Sequence, residues 1–233
     1  MREVIFDTET TGLDPKTGDR MVEIGCVEMI DRVETGNSYH AYYNPERDMP
    51  AAAEAVHGLS AEFLSGKPLF SETADELLEF LGDAPLVAHN ASFDFGFLNA
   101  ELERIGREPI SMDRMVDTVA IARKKHPGAK LSLDALCTRY GVDRSHRVKH
   151  GALLDAELLA QVYVELTGGR QIGLELANEP EATPNAPQND AGAATAAKPK
   201  APRREPRPHM ASAEELAAHK EFVASIEEAI WTR

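Results

Sequence analysis

Four acidic residues lie in segments that would otherwise be buried, and they restrict the folds that this chain can adopt. Asp7 and Glu9 follow the apolar run Val4-Ile5-Phe6, which is typical of a buried strand. Asp94 and Asp155 each fall on the apolar side of a predicted helix. A charge there costs several kcal/mol unless it is paired, and the sequence near Asp155 offers no obvious basic partner. We therefore expect these segments to pack around one sheet edge and to bring the four carboxylates together.

The order of the predicted elements indicates an α/β fold with a mixed sheet. Three strands come first, as in an antiparallel meander, and the turn-rich segment Asp14–Asp19 separates the first two. A further strand and several helices follow, which favours a sheet flanked by helices. The predicted strands are Val4–Phe6, Met21–Ile30, Thr35–Tyr43 and Leu86–Ala88. The predicted helices are Thr73–Leu81, about Ser92–Ile105, Thr118–Lys125, Ser132–Tyr140 and Ala152–Leu166.

The length of 233 residues suggests one domain with additional segments, and the composition changes near Glu179. From there to about Pro208 the chain is rich in Pro and Ala and has almost no large apolar residue, so it cannot order itself by burial. Its second half is basic, and both a solvated linker and a weak nucleic-acid contact fit that composition. The basic residues are Lys198, Lys200, Arg203, Arg204 and Arg207.

The net charge of −14 has the wrong sign for a protein that binds phosphates through a basic surface. Two explanations stay open: carboxylates hold divalent cations that meet the phosphate, or partners keep a weakly binding protein on DNA. Both cysteines, Cys26 and Cys137, have apolar neighbours and are predicted to be buried thiols. With no secretory signal and no apolar stretch of ~18 residues, the sequence predicts a cytoplasmic protein.

Taken singly, the acidic residues and His150 have structural explanations. Asp7 and Glu9 fit a polar strand end, Asp94 fits a carboxylate that favours a helix N-terminus, and a lone histidine is usually structural. Four converging carboxylates, however, would raise one another's pKa unless cations neutralised them. Their oxygens suit Mg²⁺ or Mn²⁺, and two such ions about 4 Å apart can clamp the attacking and leaving oxygens of a phosphoryl displacement. His150, predicted on the loop before the helix of Asp155, could take the proton from the attacking water.

The motifs DTETTG, HNASFD and HGALLDA, in this order and at these spacings, resemble the DEDDh exonucleases of the ribonuclease-H-like superfamily. The resemblance covers about residues 1–170 and implies a mixed five-stranded sheet flanked by helices. It also implies that two divalent ions are held by Asp7, Glu9, Asp94 and Asp155, with Asp7 bridging both. In the same pattern His150 is the general base. All five positions are intact, which predicts an active enzyme.

Three further stretches, VHGLS, SLDALC and AELLAQVYVELTGG, are similar to the epsilon-subunit family of bacterial DNA polymerase III. That resemblance implies a proofreading 3′→5′ exonuclease that releases nucleoside 5′-monophosphates from single-stranded 3′ ends of DNA. It also implies that His57 and Phe93 seat the terminal nucleotide, with Thr10 near its sugar or base. A loop histidine, a core aromatic and a turn threonine are the structural alternatives for these three residues.

The tail, residues 171–233, suggests two protein partners. The peptide Gln171–Leu176, with Gln171, Leu174 and Leu176, is similar to short peptides that bind the bacterial beta sliding clamp. Residues 177–210 form the predicted linker. In 211–233 a capping box of Ser212 and Glu215 begins an amphipathic helix to about Trp231, which we expect to bind the DNA polymerase III alpha subunit. Its apolar stripe consists of Leu216, Val223, Ile226 and Ile230.

Two other functions stay open on the sequence alone. One is a free-standing exonuclease that trims RNA or short oligonucleotides, which would have no need of the clamp-like peptide or the terminal helix. The other is a non-catalytic adaptor between clamp and polymerase, in which four buried carboxylates without a use would burden the stability. Both features of the chain therefore favour the proofreading exonuclease.

Overall fold

The computed structural model describes residues 1–145, 147, 149–169 and 211–225. The chain divides into two compact units, Met1–Asn178 and Glu179–Arg233. The first unit contains a five-stranded sheet. Its strands are β1 (Arg2–Thr10), β2 (Met21–Ile30), β3 (Val33–Tyr42), β4 (Leu86–Ala88) and β5 (Met115–Asp117).

The sheet is mixed, with the strand order β3-β2-β1-β4-β5. The first three strands form the predicted antiparallel meander, with Phe6 opposite Cys26, and β4 and β5 add to β1 in parallel. The predicted fold class is therefore confirmed. Strand β1 is longer than the predicted Val4–Phe6, because Asp7 to Thr10 also pair with β2. Strand β5 was not predicted from hydrophobic pattern, since it has only three residues and all are partly buried.

Eight α-helices are present in the described part of the chain, together with two short 3₁₀ helices, Pro15–Thr17 and Met112–Arg114. The five that the sequence predicts in the first unit are observed with ends that differ by three residues or fewer. Two short helices between β3 and the first long helix were not predicted. The helices are α1 (Ala51–His57), α2 (Ala61–Ser65), α3 (Phe70–Leu81), α4 (Ser92–Arg104), α5 (Thr118–Lys125), α6 (Leu133–Tyr140), α7 (Ala152–Leu166) and α8 (Ala213–Ala224).

The core has two layers, one on each face of the sheet, and alternation along β1 separates them. Phe6 packs with α3 and α4, whereas Ile5 points to the opposite face and packs with α7. The outer side of α7 contacts α5 and α6 in a further apolar cluster. Cys26 and Cys137 are buried free thiols, as predicted. The sheet thus carries α4 on one face and α7 on the other, and these helices hold Asp94 and Asp155.

A close approach at Gly25 fixes the distance between α7 and the sheet. Gly25 lies on β2 opposite Asp7, and the N-terminus of α7 packs directly against it. A Cβ atom at this position would lie 2.2 Å from the backbone nitrogen of Leu153 and 2.3 Å from its Cα. A side chain at position 25 would therefore push α7 away from β1 and β2, and Asp155 with it.

The second unit contains helix α8, which begins with the predicted capping box: Ser212 accepts from the Glu215 backbone, and the Glu215 carboxylate accepts from the Ser212 backbone. Leu216 is 57% exposed and Val223 is buried. Ile226, Ile230 and the clamp-like peptide Gln171–Leu176 lie outside the described residues, as does the predicted linker. In the portions described, we find no helix that is both long and apolar enough to cross a membrane.

Candidate active site

A cavity of about 280 Å³ opens at the sheet edge where β1 and β4 end, and it collects the acidic residues singled out by the sequence. Its lining contains all five residues of the predicted catalytic set together with Phe93 and several others. The predicted set in the lining is Asp7, Glu9, Asp94, His150 and Asp155. Three segments far apart in the sequence therefore meet at one sheet edge, as the pattern of buried charges predicts.

Alternation along β1 divides its polar end between the two faces of the sheet. Asp7 and Glu9 share the face of Ile5, toward α7, whereas Thr8 points to the face of α4. There the backbone nitrogen of Thr8 donates to Asp94 Oδ1 at 3.1 Å, and its hydroxyl donates to the same oxygen at 2.8 Å. Thr8 therefore fixes Asp94 against β1. Thr8 was not predicted to be a site residue, although its position between Asp7 and Glu9 at the end of the strand could have indicated it.

His150 lies on the loop that enters α7, as predicted, one residue before the N-cap Gly151. Its Nδ1 atom is 3.4 Å from Asp155 Oδ2, and its side chain is 49% exposed. Ligand atoms of Glu9, His150 and Asp155 all lie within 4.8 Å of one another. The loop geometry thus brings an imidazole to the mouth of the acidic cavity, where water can reach it.

Asp155 has a basic partner, and the expectation that none was close in sequence is wrong. Arg147, eight residues earlier on the same loop, donates from Nε to Asp155 Oδ1 at 2.5 Å and from Nη2 to Oδ2 at 2.7 Å. Its Nη1 donates to Asp134 at 2.9 Å, and its Nη2 lies 2.9 Å from His150 Nδ1. Arg147 lies on the loop before α7, and its separation of eight residues from Asp155 does not by itself show that the two side chains meet.

Burial is the main cause of strongly shifted pKa values in this cavity. It holds the pKa of Asp7 well above its usual range, and the neighbouring Asp94, Glu9 and Asp155 raise that pKa further. The pKa of Glu9 is raised to about 8 by burial and then by Asp155, and the pKa of Asp94 is raised to about 7 by burial. Arg147 acts against these effects and lowers the pKa of Asp7 and of Glu9. The cluster is therefore short of positive charge even with the arginine in place.

A second cavity, of about 550 Å³, adjoins the first and shares Thr8, Glu9 and Phe93 with it. Its other walls are mainly small apolar residues of α1 and the loop after β1, and it is lined by Thr10 and His57. The three residues predicted to contact substrate therefore line one cavity beside the acidic cluster.

His57 is buried in the wall of this second cavity, and one of its ring nitrogens is already engaged. Nδ1 accepts a hydrogen bond from the Leu59 backbone at 3.0 Å, whereas Nε2 forms none with the described residues. Burial lowers the pKa of His57, an effect that Glu23 partly offsets. A contact with the Thr10 backbone acts on this pKa in the same direction as Glu23, and Nε2 has no hydrogen bond of ordinary geometry to the described residues.

A larger cavity of about 660 Å³ lies away from this cluster, between β3, α6 and α7. It includes Arg32, Tyr140 and Glu165 but none of the residues predicted to bind metal, act as the general base or contact substrate. Size alone would favour it, but the chemistry of the molecule is concentrated in the smaller, acidic cavity.

Comparison with known proteins gives the family. A family model described as exonuclease matches residues 4–163. The chain is 48% identical to DNA polymerase III subunit epsilon of Rickettsia felis over 97% of each chain. It is 42% identical to the subunit of that name from Escherichia coli, over 94% of this chain and 90% of that one. The chain belongs to the exonuclease family of DNA polymerase III epsilon subunits.

Solved structures agree with this epsilon-subunit family assignment. Exonuclease X in complex with 5′ overhanging duplex DNA is 27% identical, with a TM-score of 0.56 over 70% of this chain and 90% of that one. The nuclease domain of 3′hExo, a DEDDh family member bound to rAMP, has a TM-score of 0.62 at 17% identity, over 71% and 91% of the two chains. The second likeness shows the fold alone.

The DEDDh exonuclease fold implies divalent metal ions, and the side chains of the acidic cavity fit them. Carboxylate oxygens are the ligands that hard divalent cations prefer. Glu9, His150 and Asp155 are already close enough together to share one ion. Cations would also favour the ionised forms of Asp7 and Glu9, whose pKa values are raised by burial and by their acidic neighbours.

Proposed function

We propose that this chain is the proofreading 3′→5′ exonuclease subunit of a bacterial replicative DNA polymerase. It hydrolyses the terminal phosphodiester of a single-stranded 3′ end of DNA and releases nucleoside 5′-monophosphates. The observation that carries the proposal is the cavity in which Asp7, Glu9, Asp94 and Asp155 meet beside His150. The family of the chain supports the same activity.

Each residue of the acidic cavity has a distinct part in this reaction. Asp7, Glu9, Asp94 and Asp155 would hold two divalent ions, Mg²⁺ or Mn²⁺. Such ions supply an activated water and stabilise the charge that develops on the phosphate and the leaving oxygen. His150, half-exposed at the cavity mouth, takes the proton from the attacking water. Its position on a loop lets the ring reach solvent without breaking the packing of α7.

The second cavity supports binding of the terminal nucleotide. Its small apolar walls can accept a base and a sugar, and the aromatic ring of Phe93 stands between the two cavities. His57 lines this recess with one ring nitrogen that has no hydrogen bond of ordinary geometry to the described residues. Thr10, whose hydroxyl donates to Gly12 O at 2.6 Å, keeps an oxygen available to accept. A frayed 3′ end can enter such a recess, and a mismatch lowers the cost of fraying by a few kcal/mol at most.

A nuclease assay on end-labelled single strands tests the proposal. With Mg²⁺ or Mn²⁺ the protein should shorten DNA from its 3′ end one nucleotide at a time, and EDTA should stop it. Mismatched primer ends should be cut faster than paired ones. Asp7→Asn and Glu9→Gln should abolish cleavage, whereas Asp75→Asn, an exposed acid on α3, should leave it unchanged.

Three outcomes of that assay would contradict the proposal. Near wild-type activity of either site variant with Mg²⁺ would exclude the two-ion assignment. A strong preference for RNA would favour the free-standing trimming enzyme. No cleavage under any condition, with ions bound, would favour the adaptor.

Two segments of the tail are proposed to hold this exonuclease domain, residues 1–170, at the replication site. The first is Gln171–Leu176, for the sliding clamp, and the second is the helix that begins at Ser212, for the polymerase subunit. The exposed Leu216 and Phe222 of α8 support a helix that uses an apolar partner, as does the subunit name of the relatives. Between them, residues 177–210 would span roughly 30 Å as a flexible chain.

The clamp contact can be tested separately from the chemistry. Gln171→Ala combined with Leu174→Ala removes a glutamine hydrogen bond and one apolar anchor, the latter worth ~1.5–3 kcal/mol when buried. Clamp binding in surface plasmon resonance should be lost while cleavage of single-stranded DNA is kept. Unchanged clamp binding by the double variant would exclude this peptide.

A further inference from the structure

Arg147 is a largely covered, intermediate-exposure cation that lines the acidic cavity, and the DEDDh motifs do not include it. Its side chain is 10% exposed, and its guanidinium contacts Asp155, Asp134 and His150 at once. Both oxygens of Asp155 accept from it, through Nε and Nη2. This two-point contact is the strongest geometry that an arginine and a carboxylate can form.

The contact has a direct consequence for an ion held at the same carboxylate. A divalent cation that uses Asp155 must bind an oxygen that already accepts from the guanidinium, because both oxygens do, and this places two positive charges on one carboxylate. The positive charge of Arg147 also lies near enough to lower the pKa of Asp7 and Glu9, so it would repel a cation bound by either. Arginine pairing and ion binding at Asp155 therefore oppose each other.

We propose that Arg147 is a positioning residue that competes with the divalent ion for Asp155. The inference rests on the proposed function, because it takes Asp155 as an ion ligand. Before an ion binds, Arg147 holds Asp155 and His150 in place. When an ion is coordinated by Asp155, Arg147 releases this carboxylate.

The structure provides a place for the guanidinium after this release. Nη1 donates to Asp134 at 2.9 Å, and Asp134 is 47% exposed at the rim of the cavity. Arg147 can keep this contact and turn away from Asp155. Arg144 also pairs with Asp134, at 2.9 Å, but the ion pairs of Asp155 are with Arg147 and His150 and not with Arg144. It is therefore a matched control: a loop arginine that shares the outer partner but not the proposed ion ligand.

Calorimetric titration of the full chain with Mn²⁺ tests the inference. Arg147→Met should bind Mn²⁺ more tightly by about fivefold or more, the usual lower range for two linked ligands that compete. Arg147→Lys keeps the charge but not the two-point contact, so its affinity should lie between those of Arg147→Met and the wild type. Arg144→Met should match the wild type. Added Mn²⁺ should also raise the melting temperature of Arg147→Met by several degrees more than that of the wild type.

The outcomes separate this inference from the proposed function. Equal or weaker Mn²⁺ binding by Arg147→Met, with normal binding by the wild type, would overturn the competition alone. A wild-type chain that binds no Mn²⁺ would overturn the proposed function and the inference together. If Arg147→Met does not fold, Arg147→Lys decides, and an affinity no tighter than that of the wild type counts against competition.

Discussion

Removing divalent ions and raising the pH should destabilise this protein, because two buried carboxylates would then be forced to ionise. Glu9 and Asp94 are 8% and 3% exposed, and their pKa values are raised to about 8 and about 7, mainly by burial. The folded protein therefore binds protons more tightly at these sites than the unfolded chain does. The stability gained in this way is complete at low pH and is lost as the pH rises through the folded pKa.

The magnitude follows from the pKa of Glu9. A rise from 4.5 to about 8 corresponds to about 5 kcal/mol, at 1.36 kcal/mol for each tenfold change in proton affinity. Between about pH 6.5 and pH 8.5, Glu9 alone should cost about 2 kcal/mol of unfolding free energy. For a domain of this size that lowers the melting temperature by about 4–8 °C. Burial lowers the pKa values of His57 and His89, so their contribution to stability increases as the pH rises, but this increase ends near pH 6.5, the ordinary pKa of histidine.

Melting curves in EDTA at these two pH values provide the assay. The wild type should lose stability toward pH 8.5, and Glu9→Gln should lose clearly less, because the amide has no charge to bury. Glu76→Gln, an exposed position on α3, should behave like the wild type. Saturating Mn²⁺ should reduce the difference between the melting temperatures of the wild type at the two pH values. An equal melting temperature at both pH values in EDTA, or the same decrease in Glu9→Gln, would refute the reasoning.

Three other predictions concern the packing of α7 on the sheet, the proposed general base His150 and the C-terminal tail. Gly25→Ala should push α7 from the sheet, destabilise the fold by about 1–3 kcal/mol and lower cleavage at least tenfold, whereas Gly66→Ala, whose Cβ would meet no atom within 4 Å, should be neutral in melting and nuclease assays. His150→Ala should lower the cleavage rate by about 10²–10⁴-fold while Mn²⁺ binding survives in calorimetry, and loss of binding would make it an ion ligand instead. Truncation after Thr183 should abolish co-purification with the polymerase subunit without changing nuclease activity or the melting temperature. A truncated chain that still co-purifies, or that melts several degrees lower, would contradict the proposal that the tail binds the polymerase subunit.

The convergence of the acids could be predicted because it depends on two simple periodicities. Alternation along a strand puts Asp7 and Glu9 on one side, and helical spacing puts Asp94 and Asp155 toward the core. A charged side chain that faces the core is costly unless another charge or an ion neutralises it, so these four positions indicated one common site. The antiparallel start of the sheet could also be predicted, because the apolar run Val4–Phe6 and the strand-like segment Met21–Ile30 lie on either side of one turn-rich segment.

The features that could not be predicted depend on contacts that no periodic pattern of the sequence indicates. Strand β5 has three partly buried residues, and only its pairing with β4 makes it a strand. Arg147 lies on a loop, so nothing in its spacing from Asp155 shows that the two side chains meet. The close approach of α7 at Gly25 likewise involves backbone atoms of Leu153, which no pattern of side chains can indicate.

The docking of α7 against Gly25 also determines when during synthesis the site can exist. Asp7 and Glu9 belong to the first strand, whereas His150 lies on the loop just before α7 and Asp155 lies in its first turn. At ~5–20 residues per second, about 7–30 s of translation separate the two halves of the cluster. A nascent chain that has formed only its antiparallel strands therefore holds half of the proposed ion ligands. If these residues are the ion ligands, as proposed, the site is complete only after α7 has left the ribosome and packed on β2, and a partly made copy would not cleave nucleic acid near the site of its synthesis.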